Sequence, residues 1–353
     1  MFQRRRLQTI GVLAVVIAVS SMLSVHSARS APARESAVAT SPGKNGLIAF
    51  TGYLDSDRKT GAIITIGVNG KGRRQITKPD PGVEDSDPDW SRDGSLVVFE
   101  RTGSPHAIYT VRRDGSGLMR LSPECTYSGP DLETHCEDGA GGSFLPDGSG
   151  VVYTRATGNV REFPNGEGWI EHSDIVVRDL SGGNPRVLLR SPPYGGDYRS
   201  PQISPDGKRF AYVRANSPLV NPAGGYALFV ARADGSEQRR ITPWSLVAGF
   251  DPDWSPDGKL IVFQSYTTGV GKQSQSYVIR PDGTGLRRLT HFKPGTAVLS
   301  ASFSPDGKWI TFGKSGVGGQ ADVFVIRVNG KDVRPVTRTA RWDSGPDWGP
   351  GSS

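Results

Sequence analysis

The chain has 353 residues, a formal net charge of +7, and only two cysteines among 46 glycines and 26 prolines. Glycine and proline make about a fifth of the chain, below the level that marks disorder and suited to a turn-rich all-β protein. Four arginines and no acids fall in residues 1–30, so the remainder carries only +3, and the charge gives no reason to expect a nucleic-acid partner.

Residues 1–30 read as an export signal. Arg4, Arg5 and Arg6 form a basic start, Gly11 to Leu23 an uncharged apolar core, and Ser27, Ala28 and Ser30 a region of small residues where a peptidase cuts. The apolar run is short of the twenty or so residues of a membrane span. The expectation is a cleaved signal, no stable membrane insertion afterwards, and an extracytoplasmic location, secreted or in the periplasm or cell envelope. A retained single anchor is the alternative. Arg4-Arg5-Arg6-Leu7-Gln8 loosely fits a twin-arginine signal and equally an ordinary one. Residues 31–45 are a short linker, 46–349 the folded region and 350–353 a tail.

From Gly46 onward one pattern recurs. "DPDWSRDGSLVVF" (87–99) is followed by "GGSFLPDGSGVVY" (141–153), "SPQISPDGKRFAY" (200–212), "DPDWSPDGKLIVF" (251–263) and "SASFSPDGKWITF" (300–312). Its anchors Trp90, Phe144, Ile203, Trp254 and Phe303 lie 54, 59, 51 and 49 residues apart, the period of a repeat array. Each unit contains four strand signals. A short strand ends at the anchor, and Ser-Pro-Asp-Gly turns the chain, with proline fixing φ and glycine accepting the left-handed region. A second, wholly apolar strand follows, as in Leu260 to Phe263. After a variable loop come a third strand, a second glycine turn such as Pro281-Asp282-Gly283, and a fourth strand alternating apolar and basic residues, as in Leu286 to Thr290. The arginines of that last strand read as charged edge protection. No basic-aromatic interleaving supports a nucleic-acid role.

Four antiparallel strands per unit at this period predict propeller blades. The first unit starts at Gly46-Leu47-Ile48-Ala49-Phe50, a second strand lacking its first. The chain ends with a stray first strand, Ser344 to Gly349. The prediction is an all-β, six-bladed β-propeller with ring closure by the C-terminal strand.

"WSPDGKLIVF" followed by "YVIRPDGTGLRRLT" resembles the WD-like (WSPDG) propeller repeats of TolB-type proteins, over about Gly46 to Gly349. The resemblance implies a propeller used for many roles. TolB itself resembles a two-domain molecule with an α/β domain before its propeller. Here only a few residues separate the signal from the first blade, so the envelope-complex role is not carried over.

In a propeller the turns between strands one and two, and three and four, share one face. Here those are short and uniform. The opposite face carries long, individual loops, the usual seat of recognition. The longest are Ala156–Ser173 in the third blade and Ser122–Gly142 before it. Cys125 and Cys136 lie in the second and are expected to pair as a disulfide, contributing about 3 kcal/mol at most in the chain-entropy model. Candidate partner-binding residues on this face are Tyr53, His106, Tyr127, Phe163, Trp169 and His172, with Tyr194, Tyr198, Trp244, Tyr266 and Trp342, since Tyr and Trp bury much area with few rotors. The alternative for each is packing onto the blades. Asp89, Asp253 and Asp347 precede tryptophans at equivalent places. They are expected to hydrogen-bond neighbouring backbone, with a cation at the channel mouth as the alternative. No catalytic motif appears: no G-x-S-x-G elbow, phosphate loop or H-E-x-x-H. The expectation is a monomeric, cofactor-free, non-enzymatic binding module for an extracytoplasmic protein. The alternative is a lyase or hydrolase acting on polysaccharide or glycan at the channel mouth.

Overall fold

The structure is a computed structural model. It describes residues 43–103, 106–124, 137–163, 166–183, 185–191, 197–216, 225–249, 251–266, 274–316 and 319–351, and not the side chains of 157–163, 166–172 and 266. Cys125, Cys136, Tyr127, Tyr194 and residues 1–42 lie outside the described residues.

Six four-stranded antiparallel sheets form the six blades of a propeller. Blade one holds β1 (Asn45–Tyr53), β2 (Gly61–Ile66) and β3 (Arg74–Gln75), and blade two β4 (Asp85–Trp90), β5 (Leu96–Arg101), β6 (Ala107–Arg112) and β7 (Met119–Arg120). Blade three holds β8 (Asp138–Phe144), β9 (Gly150–Phe163), β10 (Gly166–Asp179) and β11 (Arg186–Leu189). Blade four holds β12 (Tyr198–Ile203), β13 (Arg209–Ala215), β14 (Tyr226–Arg232) and β15 (Arg239–Arg240). Blade five holds β16 (Asp253–Trp254), β17 (Ile261–Tyr266), β18 (Ser274–Ile279) and β19 (Arg287–Arg288). Blade six holds β20 (Ala297–Phe303), β21 (Trp309–Ser315), β22 (Ala321–Arg327) and β23 (Arg334–Pro335). The last strand, β24 (Asp343–Pro350), returns to blade one and pairs with β1, setting Ile48 opposite Trp348 and Asn45 opposite Pro350. The ring closes as the sequence predicts.

The repeated residues explain why each blade forms. The second strand places one aromatic per blade in the interior: Phe50, Phe99, Tyr153, Tyr212, Phe263 and Phe312 are all 0% exposed. The anchors Trp90, Phe144, Ile203, Trp254, Phe303 and Trp348 are all buried. Core clusters join neighbouring blades. Trp348 packs with Ile48 and Phe50 of blade one and with Val323 and Val325 of blade six.

In the Ser-Pro-Asp-Gly turn the serine hydroxyl donates to the aspartate, as in Ser255 to Asp257 (2.7 Å), and accepts the amide of the residue entering strand two, Leu260 (2.8 Å). The fourth strand is only two residues long in five blades, which would strand a buried amide of strand three. A hydroxyl supplies the missing acceptor. Thr77, Ser122, Thr242, Thr290 and Thr337 accept the amides of Ile63, Ile108, Leu228, Ser276 and Val323 at 2.9–3.1 Å. Arginines of the same edge stitch blades together. Arg74 donates to Asp114 O, Arg239 to Pro281 O and Arg287 to Val328 O, each in the next blade.

One expectation fails. Ala156–Ser173 is not a loop. β9 and β10 are each 14 residues long and stay in register from Gly150 opposite Asp179 to Phe163 opposite Gly166. Thr157, Val160, Phe163, Trp169 and Ile170 are β-branched or aromatic and favour strand. Eight register pairs therefore continue the hairpin beyond Arg155 opposite Asp174. Asp138–Gly142, read as the end of the preceding loop, likewise belongs to β8.

Candidate functional site

The first strand of every blade lines the central channel. Just before its channel residue each strand takes a positive φ: Asp87 (50°), Gly141 (56°), Ser200 (47°), Asp251 (58°), Ser300 (39°) and Gly345 (58°). Four of these are not glycine, in a region that disfavours side chains. Where the first and second strands pair at length, the register shifts at this residue, as between Ser86 and Asp89 or between Leu299 and Ala301. The result is a bulge in five blades and the same positive φ in all six.

Behind this ring lies a second one. Asp89 accepts the amide of Phe144 (3.2 Å), Asp253 that of Phe303 (2.6 Å) and Asp347 that of Trp90 (2.8 Å). Ser143, Gln202 and Ser302 fill the other three places. Ser143 donates to Gln202 (2.7 Å), Gln202 to Asp89 (3.1 Å), and Ser302 to Asp347. Each aspartate thus ties its blade to the next anchor, the backbone role expected of it. Burial pushes the carboxyls of Asp89 and Asp347 up, and Asp253 is pushed up to about 8 by burial and the nearby charge of Asp347. Among the described residues no three His, Cys, Asp or Glu side chains converge as metal ligands.

The channel opens differently at its two ends. On the short-turn face a cavity of about 140 Å³ is walled by the anchors Trp90, Phe144, Trp254 and Trp348 and rimmed by Pro146, Pro205, Pro256 and Pro350. On the other face a cavity of about 390 Å³ is lined by Asp87, Glu100, His106, Asp138, Thr154, Arg199 and Asp251, with small residues between. This second mouth is acidic. Asp251 accepts the hydroxyls of Ser200 (3.0 Å) and Ser300 (2.8 Å). No hydrogen bond or ion pair to the Asp87 carboxylate occurs among the described residues. Burial and the charge of Asp251 push the Asp87 carboxyl well above its ordinary value, and burial pushes Asp251 up as well. The cavity's cationic side chains are engaged. His106 Nδ1 lies 2.9 Å from Glu100 Oε1, and Arg199 lies 2.9 Å from Asp197. Glu100 holds the His106 imidazole above its ordinary pKa, and Asp138 accepts the His106 amide at 2.8 Å.

Of the residues picked from the sequence, Tyr53, His106 and Trp342 come near this mouth. Tyr53 donates its hydroxyl to Glu84, whose charge acts on Asp87, and its amide bonds Trp342 O at 3.0 Å. Burial and Glu84 push the Tyr53 phenol up, while burial raises Glu84. Arg58 stacks on Trp342 at 4.5 Å. Trp244 lies in a 3-10 turn against Phe229 (5.8 Å). Tyr198 is 4% exposed and packs edge-on to Tyr212. Phe163, Trp169, His172 and Tyr266 lie on strands whose side chains are not described there. Sequence reasoning missed Glu84, Asp87, Glu100, Asp138, Thr154 and Asp251. The one available signal was the residue two before the channel aspartate, acidic in Asp87-Pro88-Asp89 and Asp251-Pro252-Asp253.

Known proteins share this architecture. The Tol-Pal system protein TolB of Francisella tularensis is 29% identical over 131 residues, 36% of this chain and 29% of TolB, so the match spans under a third of that relative's length. The crystal structure of TolB from Acinetobacter baumannii superposes with a TM-score of 0.65 at 18% identity, covering 86% of this chain and 67% of that one. A puromycin-hydrolysing peptidase of Mycobacterium tuberculosis superposes at 0.53 and 16% identity, covering 86% of this chain and 48% of that one. At these identities the two structures share the fold. The family model of the TolB beta propeller domain matches residues 160–353, and the chain belongs to that family.

Proposed function

We propose that the protein is an extracytoplasmic interaction module that binds another envelope or extracellular protein through the face opposite the Ser-Pro-Asp-Gly turns. The carrying observation is the long hairpin of blade three. β9 and β10 are 14 residues each, where second and third strands elsewhere have six or seven, apart from the nine of β1. At about 3.3 Å per residue the eight extra pairs reach about 25 Å. A two-stranded arm is marginal alone in water and gains stability by lying against a partner. Export and the Tol-Pal system setting of the Francisella relative support an envelope partner.

The test is affinity capture from cell-envelope extract with crosslinking, using the full chain and a variant in which Asn-Gly joins Thr157 directly to His172. The expected result is a partner crosslinked to residues 158–171 and absent with the shortened arm, at an unchanged melting temperature. Equal capture by both chains refutes the reading.

The enzyme reading has one observation in its favour, the His106–Glu100 pair at the cavity, a base with an orienting carboxylate. The acid-lined mouth opposes polyuronates, so a glycan substrate there is neutral or basic. A His106→Gln variant that keeps full partner capture and lacks turnover on a glycan panel favours this second reading.

A further inference from the structure

Among the described residues five large apolar side chains are exposed, Val68, Leu118, Met119, Leu286 and Val333, at 41–47% each. Exposed apolar residues scattered singly are ordinary, but these are grouped. All five lie where the chain passes from the third strand into the fourth, within residues 67–75 of blade one, 112–120 of blade two, 280–288 of blade five and 327–335 of blade six. Ring closure makes those four blades consecutive, in the order five, six, one, two. Their turns also touch. A Cβ on Gly330 would sit 3.0 Å from Leu289 O, on Gly70 3.0 Å from Val336 O, and on Gly115 2.8 Å from Ile76 O, so each turn rests on the end of the blade before it.

Positive charge gathers on the same arc. The four turns hold twelve lysines and arginines and three aspartates, a net +9, while residues 31–353 as a whole carry only +3. Arg73 pairs inward with Asp343, which leaves +8 for the surface. The corresponding turns of blades three and four, 178–187 and 232–240, hold five basic and three acidic residues, a net +2, and contain none of the five exposed apolar side chains. Edge protection applies to every blade and does not account for this skew. The inner turns of the same face, at 92–95, 146–149, 205–208, 256–259 and 305–308, are close to neutral, with four basic and five acidic residues.

We propose that this arc docks the propeller, by its short-turn face, on the surface of an anionic phospholipid membrane. The four turns share one hydrogen bond, from the amides of Gly67, Arg112, Arg280 and Arg327 to the carbonyls four residues on, each 2.9 Å. Like turns on consecutive blades stand at one level, as a planar surface requires. Separate apolar side chains set among cations suit shallow entry at headgroup depth. Lysine and arginine there add attraction to the anionic surface and lay their stems along the apolar boundary. A protein partner favours one continuous apolar centre, whereas here the apolar residues are divided among four blades by arginines. The inference does not depend on the interaction-module reading, and it orients that reading: the arm of blade three points away from the bilayer.

The full chain is incubated with vesicles of equimolar phosphatidylglycerol and phosphatidylcholine that carry a trace of photocrosslinking lipid, reactive at headgroup depth. Pure phosphatidylcholine vesicles are the second arm. Residues 11–23 are apolar and can enter either bilayer, so the readout is the set of crosslinked peptides and not total binding. The expected result is labelling within the four turns, about tenfold or more above the neutral vesicles. Lys71→Glu/Arg280→Glu should lower that labelling about tenfold or more, and Leu118→Ser/Leu286→Ser about threefold or more. Both variants should keep the melting temperature, since all four side chains are exposed. Lys293→Glu/Arg341→Glu makes the same charge change in exposed loops of the opposite face and should leave the labelling within about twofold, because surface attraction fades within a Debye length. Equal labelling on neutral vesicles, no labelling of the arc, or an equal loss in the Lys293 and Arg341 variant overturns the assignment. An arc that labels no lipid but crosslinks an acidic envelope protein in the capture experiment also overturns it and marks a protein interface instead.

Discussion

Replacing Trp348 by alanine tests whether the ring is closed as tightly as its blades are built. Trp348, on the closing strand, is 4% exposed, and so is Trp254 at the equivalent place in blade five. Their indole nitrogens donate to Gly46 O (3.3 Å) and Gln202 O (3.0 Å). A buried tryptophan removes about 150–250 Å² from water, or about 4–6 kcal/mol at 25 cal/mol per Å². Measured truncations of large core aromatics cost about 3–5 kcal/mol. The expected loss is therefore about 4 kcal/mol for Trp348→Ala, and within about 1.5 kcal/mol of that for Trp254→Ala by the same rule. Urea unfolding followed by far-ultraviolet circular dichroism gives both. If Trp348→Ala costs under about 1 kcal/mol while Trp254→Ala costs the full amount, the seam between β1 and β24 is not part of the cooperative unit and the reasoning fails.

Asp343 is fully buried and holds Arg73 through two bonds of 3.0 and 3.1 Å. Since Arg73 is one-third exposed, Asp343→Ala should cost about 2 kcal/mol, below the 3–5 of a fully buried broken pair, and equilibrium unfolding measures it. Gly349→Ala would place its Cβ 2.5 Å from Trp90 Cγ and should cost about 1–3 kcal/mol by overpacking. Gly316→Ala meets nothing within 4 Å and serves as the control, with a change of about 0.5 kcal/mol or less. The channel aspartates give an unusual pH dependence. Asp253 is pushed up to about 8 and Asp87, Asp89, Asp251 and Asp347 are raised, so the native state binds more protons than the unfolded chain. Stability should then fall as pH rises from the ordinary carboxylate range toward 8. Turn aspartates such as Asp93 and Asp147, held low by their serine hydrogen bonds, lose their contribution only in stronger acid. Thermal melts should show a higher midpoint at pH 5.5 than at 8, with a smaller difference in Asp253→Asn; a midpoint that rises steadily to pH 8 contradicts the assignment.

The blades were legible because each is built from local rules. A serine, proline, aspartate and glycine specify one turn, and an apolar run after it specifies a buried strand. Closure was legible from an unmatched strand at each end. The arm of blade three was misread because its polar residues, among them Thr157, Asn159, Arg161 and Glu162, look like loop when the partner strand that pairs with them is unknown. The acidic mouth was harder still. Glu100 and Asp138 carry no motif, and they meet only because blades two and three turn them toward one cavity. The positive φ at Asp87, Ser200, Asp251 and Ser300 ran against local preference and could not be read from residue type. What imposes it is the bulge that aims the first strand at the axis.

The return of β24 to β1 also sets an order in time. The bond from Trp348 to Gly46 joins residues 302 apart. At about 5–20 residues per second, synthesis delivers the second partner roughly 15–60 s after the first. For that interval β1 has an unpaired edge, the kind that recruits strands from other chains. The blades between can form as they emerge, since their contacts are local. The last step is a single long-range closure, so a chain stalled before residue 343 exposes one sticky strand. The closure that pairs β1 at the end leaves that strand open until then.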